Sequence, residues 1–332
     1  MEKFLIIRFS SIGDIVLTTP VIRCLRKKYP DAEIHFLTKH AFKNILVQNP
    51  YINKVHTLDD SFELMLHELK TEAYDYIIDL HHNLRTFRIK RFLKEVPSFS
   101  FNKLNIEKFI LTNFKINTLP AKHIVDRYME TVASLGVVND GLGLDYFIPK
   151  TNEIKSDDLP ASHIHGYVGI VIGAALATKK MPLHKLKNLC TSINHPIVLL
   201  GGKEDYEDGK AIAALDDIKI YNACGKFNLN ESASLVKSAK LIITHDTGLM
   251  HIAAALQKPV ISIWGNTVPA FGMYPYYGSN NRQQFDVVEI NKLWCRPCSK
   301  IGYKKCPRGH FKCMEKIAVN DIVNLMWNRI GK

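Results

Sequence analysis

No uninterrupted apolar run in this sequence approaches the roughly 18 residues that a membrane-crossing helix needs. The amino terminus lacks the basic stretch, long apolar core and small-residue cleavage site of an export signal, and reads directly as a strand. Together these absences lead to the expectation of a soluble, cytoplasmic protein. Two nucleotide-binding loops are missing as well: there is no G-x-x-x-x-G-K-S/T and no G-x-G-x-x-G. Acidic residues are short, 32 against 44 lysines and arginines, for a net charge of +12. That deficit suggests an anionic partner, whether nucleic acid, acidic lipid or a phosphorylated substrate. Much of the excess lies in two runs, Arg85, Arg88, Lys90, Arg91 and Lys94, then Arg296, Lys300, Lys304, Lys305, Arg308 and Lys312, each equally readable as a solvated face.

What is present is an alternation of strand and helix patterns along 332 residues, a length that suits two domains better than one core. In the first half, residues 3–9, 33–38, 54–58 and 74–80 read as strands, and 15–29, 40–48 and 61–71 as helices. Pro20 either bends the helix 15–29 or opens a fresh one behind a Thr19 cap. Residues 84–113 are mixed basic and apolar, and 123–136 form a helix with a glycine stop. The stretch 137–165, rich in Asp, Gly, Pro, Ser and Asn, marks the domain boundary. The rhythm then restarts, with strands at 167–172, 196–201, 219–224, 241–245 and 259–264, helices between them, and a last helix at 319–330. Such spacing means βαβ units and mostly parallel sheets. The expected architecture is therefore α/β with two Rossmann-like parallel-sheet domains, 1–160 and 161–332, facing across a cleft, the last helix packing back on the first domain. Ligands of such sheets lie outside the carboxyl ends of the strands.

Four stretches can carry chemistry. In "LIITHDTGLMHIAAALQKPVISIWGNT", Thr247 and Gly248 stand where a helix begins, so backbone N–H groups and the helix dipole offer an anion site suited to a diphosphate. His251 lies one turn further on; Asp246 reads equally as a helix cap and His251 as an interior histidine. In "GIVIGAALATKKMP", small residues at 173–175 would let a ligand approach the backbone, and Thr178, Lys179 and Lys180 follow. In "RFSSIGDIVLTTP", Asp14 follows Ser10, Ser11 and Gly13 at the end of the first strand, as a catalytic carboxylate or as a cap. Finally Cys295, Cys298, Cys306 and Cys313 form C-x2-C-x7-C-x6-C, which suits one structural zinc, reduced thiols or a disulfide. Cys24, Cys190 and Cys224 read as buried thiols.

These stretches in this order, with "YIIDLHHNLRT" and "HIVDRYMETVASLGV", resemble the heptosyltransferases of glycosyltransferase family 9 over nearly the whole chain. The resemblance implies the GT-B fold, with a nucleotide-diphosphate sugar, typically ADP-heptose, held by the C-terminal domain. It implies a Kdo–lipid A type acceptor on the N-terminal domain, inverting transfer, and no metal in the chemical step. Asp14 then matches the general base, Lys179 the phosphate-binding lysine, Thr247 and Gly248 the backbone cradle, Asp246 and His251 its frame, and Glu204 a ribose contact. Thr178 joins the donor side, while Ser10, Ser11, Gly13 and Arg85 fall on the acceptor side. The family's lysine motif usually continues into Trp-Pro, whereas here it is Met181-Pro182, and Asn266 stands where many relatives have proline.

The resulting expectation is a cytoplasmic, inverting glycosyltransferase. Its positive charge, with the apolar stretch after Lys94, would dock it on the anionic inner leaflet as a peripheral protein. Two alternatives are a sugar-nucleotide epimerase or hydrolase of the same architecture and a nucleic-acid-binding protein using the cysteine cluster. The latter leaves the Asp14 and Asp246 turns unexplained, and no nucleic acid is expected.

Overall fold

A computed structural model describes residues 1–58, 61–279 and 284–331; residues 280–283 of the Gly/Asn-rich loop after Trp264 lie outside them. The chain divides into two compact units. The first comprises Met1–Leu104 and Lys122–Phe147, with Gly278 and Ser279. The second comprises Asn105–Ala121, Ile148–Tyr277 and the described residues from 284 on.

The first unit holds a five-stranded sheet of β1 (Lys3–Ile7), β2 (Glu33–Lys39), β3 (Lys54–Leu58), β4 (Tyr76–Asp79) and β5 (Ser98–Ser100), ordered β3-β2-β1-β4-β5. The second holds β6 (Val168–Val171), β7 (Ile197–Leu200), β8 (Ile220–Asn222), β9 (Leu241–His245), β10 (Val260–Trp264) and β11 (Phe285–Glu289), ordered β11-β10-β9-β6-β7-β8. Every pairing is parallel. Central strands such as Phe4–Ile7 and Leu241–His245 are buried throughout, as a sheet covered on both faces requires. Both orders are doubly wound, and each reverses direction once, between β1 and β4 and between β6 and β9.

Pro20 resolves as a fresh start. A helix runs over Ile12–Val16 and a second over Thr19–Lys28, with Thr18 at the cap position and Pro20 in the first turn, where its missing N–H costs nothing. The cap is thus one residue earlier than the sequence suggests. The mixed stretch 84–113 contains the helices Leu84–Phe92 and Asn105–Phe114. Their large exposed side chains, Leu84, Phe87, Ile106 and Phe109, blur the apolar period that signals a helix. The edge strand β11 escapes notice because its alternation is only half-buried.

Two boundaries differ from the sequence-based division. The change of unit falls between Phe147 and Ile148, and the helix Asn105–Phe114 belongs to the second unit, where Lys115 Nζ donates to the Pro297 carbonyl at 2.7 Å. The last helix, Val319–Ile330, packs inside the second unit against the helix Leu183–Ser192, β9 and β10. It buries Val319, Ile322 and Met326 in that core, which explains its apolar spacing.

Candidate functional site

At the reversal point of the first sheet, the loops after β1 and β4 share the carboxyl edge. Arg8, Ser10, Ser11, Gly13 and Asp14 all come from the loop after β1. Asp14 lies in the first turn of the helix Ile12–Val16. One carboxylate oxygen, Oδ2, accepts from the Ser11 N–H at 3.1 Å and the Ser11 hydroxyl at 2.7 Å. The other, Oδ1, meets Arg8 Nη2 at 2.6 Å. The same guanidinium donates to the Ser10 carbonyl at 2.8 Å and to the Leu80 carbonyl at 2.6 Å, tying the ends of β1 and β4 together. Asp14 is therefore a cap partner of Ser11 and an ion-pair partner of a buried arginine. Gly13 is buried, and Ser11 is exposed.

The loop after β4 is built around Asp79, which has no exposed surface. Its Oδ1 accepts from the His81 and His82 N–H groups at 3.0 and 2.6 Å, and its Oδ2 lies 3.0 Å from Lys90 Nζ. His81 packs on Phe9 with ring centroids 4.9 Å apart, and burial pulls its pKa down to about 4, so it is a neutral imidazole at pH 7. Arg85 is exposed in the first turn of the helix Leu84–Phe92, which Asn83 caps.

The reversal point of the second sheet gathers the loops after β6 and β9, joined by the loop after β10. Lys179, in a 3-10 turn over Ala177–Lys179, reaches Asp246 Oδ2 at 2.6 Å. Thr267 Oγ1 donates to the same oxygen at 3.0 Å. Asp246 is thus the hub of three loops, and the cap position of the next helix, Gly248–Ala255, falls to Thr247. The Thr247 hydroxyl makes no cap bond; it contacts the Thr244 hydroxyl at 3.2 Å. The first turn of that helix thus lacks a side-chain cap among the described residues, which suits an anion site at its start. His251 is buried one turn on, and Glu204 is exposed in the turn after β7.

Several neighbours have jobs different from those the sequence suggests. Gly173 makes room for protein: a Cβ there would lie 2.0 Å from Asp205 Oδ2. That carboxylate, 2% exposed, accepts from the Gly202 N–H at 3.0 Å and pairs with Lys180 Nζ at 2.6 Å. Of two adjacent lysines, Lys180 therefore holds the scaffold and Lys179 serves Asp246. Met181 points into the second core, and its N–H donates to His245 Nε2 at 3.0 Å.

Thr178 is buried and fastens the cysteine-rich segment: its N–H donates to the Tyr303 carbonyl at 3.1 Å, and its hydroxyl accepts from the Tyr303 N–H at 2.7 Å. The Cys298 N–H donates to the Asn266 carbonyl at 3.2 Å. Arg296, a member of the second basic run, has a buried side chain that donates to the carbonyls of Gly265 and Thr267 at 2.6 and 2.8 Å. The segment thus braces the loops that carry Lys179 and Thr267. Its four cysteines are free thiols. Cys298 Sγ donates to the Cys295 carbonyl at 2.9 Å, and Cys295 Sγ lies 3.8 Å from His310 Nε2. Among the described residues one trio of metal-ligand types falls within 4.8 Å, and it contains none of these cysteines. Burial first, and then the neighbouring thiols, push the Cys298 and Cys313 pKa values up, so the four sulfurs lie within reach of one another, and a structural zinc among them is a proposal. Cys24, Cys190 and Cys224 are buried thiols, as their isolation in the sequence suggests.

Comparison with known proteins places this geometry. The family model for glycosyltransferase family 9 (heptosyltransferase) matches residues 64–305, nearly three quarters of the chain. The chain belongs to glycosyltransferase family 9. It is a glycosyltransferase of that family, 27% identical to lipopolysaccharide heptosyltransferase 1 of Campylobacter coli, with 99% of each chain covered. In fold it is similar to a family 9 glycosyltransferase from Veillonella parvula, with a TM-score of 0.78 at 21% identity over 99% of this chain and 97% of that one. It is also similar to the E. coli ADP-heptose lipopolysaccharide heptosyltransferase II, with a TM-score of 0.73 at 19% identity over 99% and 98%.

Four features of this site are absent from the sequence reading. Arg8 is signalled only by its position, a charge directly after an apolar strand. Thr267 and the Lys180–Asp205 pair carry no local signal, because their partners lie far away in sequence. His245 is fully buried under the Lys179 loop, and burial holds its pKa down at about 4. An unfolded histidine titrates near pH 6.5, so between those values the unfolded chain takes up a proton that native His245 refuses. Its contribution to stability is whole above about pH 6.5 and is lost as the pH falls towards 4, on the order of 3 kcal/mol in all. Thermal unfolding should accordingly show a midpoint that falls from neutral pH to about pH 5, with a shallower slope in His245→Asn. Equal slopes in the two proteins would remove His245 from this role.

Proposed function

We propose that the protein transfers a heptose from ADP-heptose to an inner-core acceptor of the Kdo–lipid A type, with inversion at the anomeric carbon. The observation that carries this reading is the Lys179–Asp246–Thr267 group beside the open start of the helix Gly248–Ala255, at the reversal point of the second sheet. An ammonium and a row of backbone N–H groups suit a diphosphate leaving group, whose negative charge grows as the glycosidic bond breaks. The E. coli relative acts on ADP-heptose by name, and the Campylobacter coli relative is a lipopolysaccharide enzyme, which supports the donor and the acceptor class.

In the proposed reaction the acceptor hydroxyl oxygen attacks the anomeric carbon. Asp14 accepts its proton, and the carbon–oxygen bond to the diphosphate breaks, the electron pair leaving with ADP. Arg8 holds the carboxylate in place. Glu204, exposed after β7, is available to the nucleotide ribose. Ser10, Ser11 and Arg85 would meet the acceptor.

No helix among the described residues is long and apolar enough to cross a membrane. Peripheral docking on the anionic inner leaflet, from the cytoplasmic side, is supported by two surfaces. The helix Leu84–Phe92 exposes Arg85, Arg88 and Arg91 beside Leu84 and Phe87. The helix Asn105–Phe114 exposes Ile106, Phe109 and Phe114. Basic and apolar side chains together suit an anionic bilayer.

Calorimetric titration with ADP, UDP, GDP and CMP tests the donor. The expected result is binding of ADP in preference to the other three. Preference for another nucleotide would discard ADP-heptose, and binding of none would remove the donor site from the second unit.

A further inference from the structure

On the amino-terminal edge of the first sheet, opposite the Asp14 loop, lies a polar cluster that the transferase reading leaves unused. His35 of β2 and His56 of β3 are buried, at 3% and 5% exposure, beside the core formed by the sheet and the helix Phe62–Thr71. Glu72 caps the end of that helix, and Tyr74 follows it. His35 Nδ1 and His56 Nε2 stand 3.3 Å apart, and the Tyr74 hydroxyl lies 2.9 and 3.0 Å from them. Each nitrogen is 3.7 Å from a different oxygen of the Glu72 carboxylate.

We propose that His35, His56 and Glu72 form a binding site for a divalent transition-metal ion of the zinc class. The distances are those of a coordination shell lacking its centre. Ligand atoms about 2.0–2.1 Å from zinc stand about 3.3 Å apart along a tetrahedral edge, which is the observed nitrogen separation. All three ligand atoms lie within 4.8 Å of one another. Two imidazoles and a carboxylate are a ligand set that zinc and its neighbours favour over magnesium or calcium.

Protonation and charge agree with the geometry. Burial lowers both histidine pKa values, so each imidazole is neutral with a lone pair to give. His35 Nε2 lies 3.6 Å from a Glu33 oxygen, which adds a second carboxylate beside the site. The phenol of Tyr74 stays protonated, since burial raises its pKa, and its hydroxyl stands beside the fourth position. Lys3 and Lys54 hold Glu72 at 3.1 and 2.5 Å, and Lys3 also holds Glu33 at 2.7 Å. These two lysines and two glutamates cancel, so an entering ion meets no net positive charge. Lys54 is more than half exposed and can give up the carboxylate to a metal. A bound ion would tie β2, β3 and the approach to β4 together on the edge remote from the transfer chemistry, which makes it a stabilising ion.

The test uses tag-free, chelator-treated full-length protein titrated with cobalt(II), in wild type, His56→Gln, Glu72→Gln and a Cys298→Ser/Cys306→Ser control, each checked for folding by circular dichroism. The expected result is one equivalent of cobalt with the visible spectrum of a nitrogen–oxygen site and no thiolate charge-transfer band. Binding should also raise the unfolding temperature. Both effects should be lost in His56→Gln and Glu72→Gln and kept in the cysteine control. Absence of binding to wild type would overturn the proposal. So would a thiolate spectrum that survives His56→Gln and disappears in the cysteine control, since the ion would then belong to the cysteine segment. Glu72 is only partly buried, so Glu72→Gln keeps the test decisive should His56→Gln fail to fold.

Discussion

Replacing Asp14 by asparagine should lower turnover by about 10²–10⁴-fold while leaving ADP affinity unchanged. The amide keeps the shape of the side chain, and its oxygen can still accept from the Ser11 N–H, so the turn into the helix Ile12–Val16 survives. What disappears is the negative charge, and with it the capacity to take a proton from the acceptor hydroxyl. A second consequence comes from Arg8, whose guanidinium is buried and loses its counter-charge at 2.6 Å. Removing one partner of such a pair destabilises by roughly 3 kcal/mol, so the variant should also unfold at a lower temperature. Activity must therefore be read well below that temperature, with single-turnover kinetics beside calorimetry. Retained turnover would reduce Asp14 to the helix cap that its position also permits. Arg8→Lys supplies the complementary case: the charge remains, the fork that spans Ser10, Leu80 and Asp14 does not, and a positioning role predicts a smaller fall in turnover.

The tandem α/β architecture was legible because the buried strands are continuous apolar runs and each is followed by a helix-length segment. The last helix, Val319–Ile330, emerges with its limits because its apolar spacing is strong and the polar flanks are clear. Its packing partner does not follow, since an amphipathic stripe states that a surface is covered without saying by what. The same limit governs the site. Asp14 and Asp246 stand out by position, at strand-to-helix turns, whereas Lys179 and Lys180 are indistinguishable in sequence. Only the 3-10 turn over Ala177–Lys179 sends one ammonium to Asp246 and the next to Asp205. Gly173 illustrates the reverse error: a glycine at the end of β6 suggests ligand approach, and the space is filled by the Asp205 carboxylate. The bracing role of the cysteine segment could not be read from its spacing, because its hydrogen bonds to Asn266 and, through Tyr303, to Thr178 depend on segments more than thirty residues away.

That division of labour between the two lysines leads to the other large effect. Lys179→Ala should weaken ADP binding roughly 10- to 100-fold, the loss expected when a charged donor to an anionic ligand is removed. Lys179 Nζ is partly exposed and pairs with Asp246 at 2.6 Å, so it can face a diphosphate while still held by the carboxylate. With the lysine gone, Asp246 retains Thr267 as a hydrogen-bond donor but presents its charge to an anionic ligand. Part of the loss is therefore repulsion, and Lys179→Ala/Asp246→Asn should bind ADP more tightly than Lys179→Ala alone, a non-additivity measurable by calorimetry. Lys180→Ala should behave differently. It leaves the buried Asp205 carboxylate without its ion partner at 2.6 Å, so stability falls while the folded protein keeps its ADP affinity. If the Lys180 variant were instead the one to lose ADP with its fold intact, the diphosphate would sit on the β7 side of the loop, and the assignment of Lys179 and Asp246 would have to be exchanged for Lys180 and Asp205.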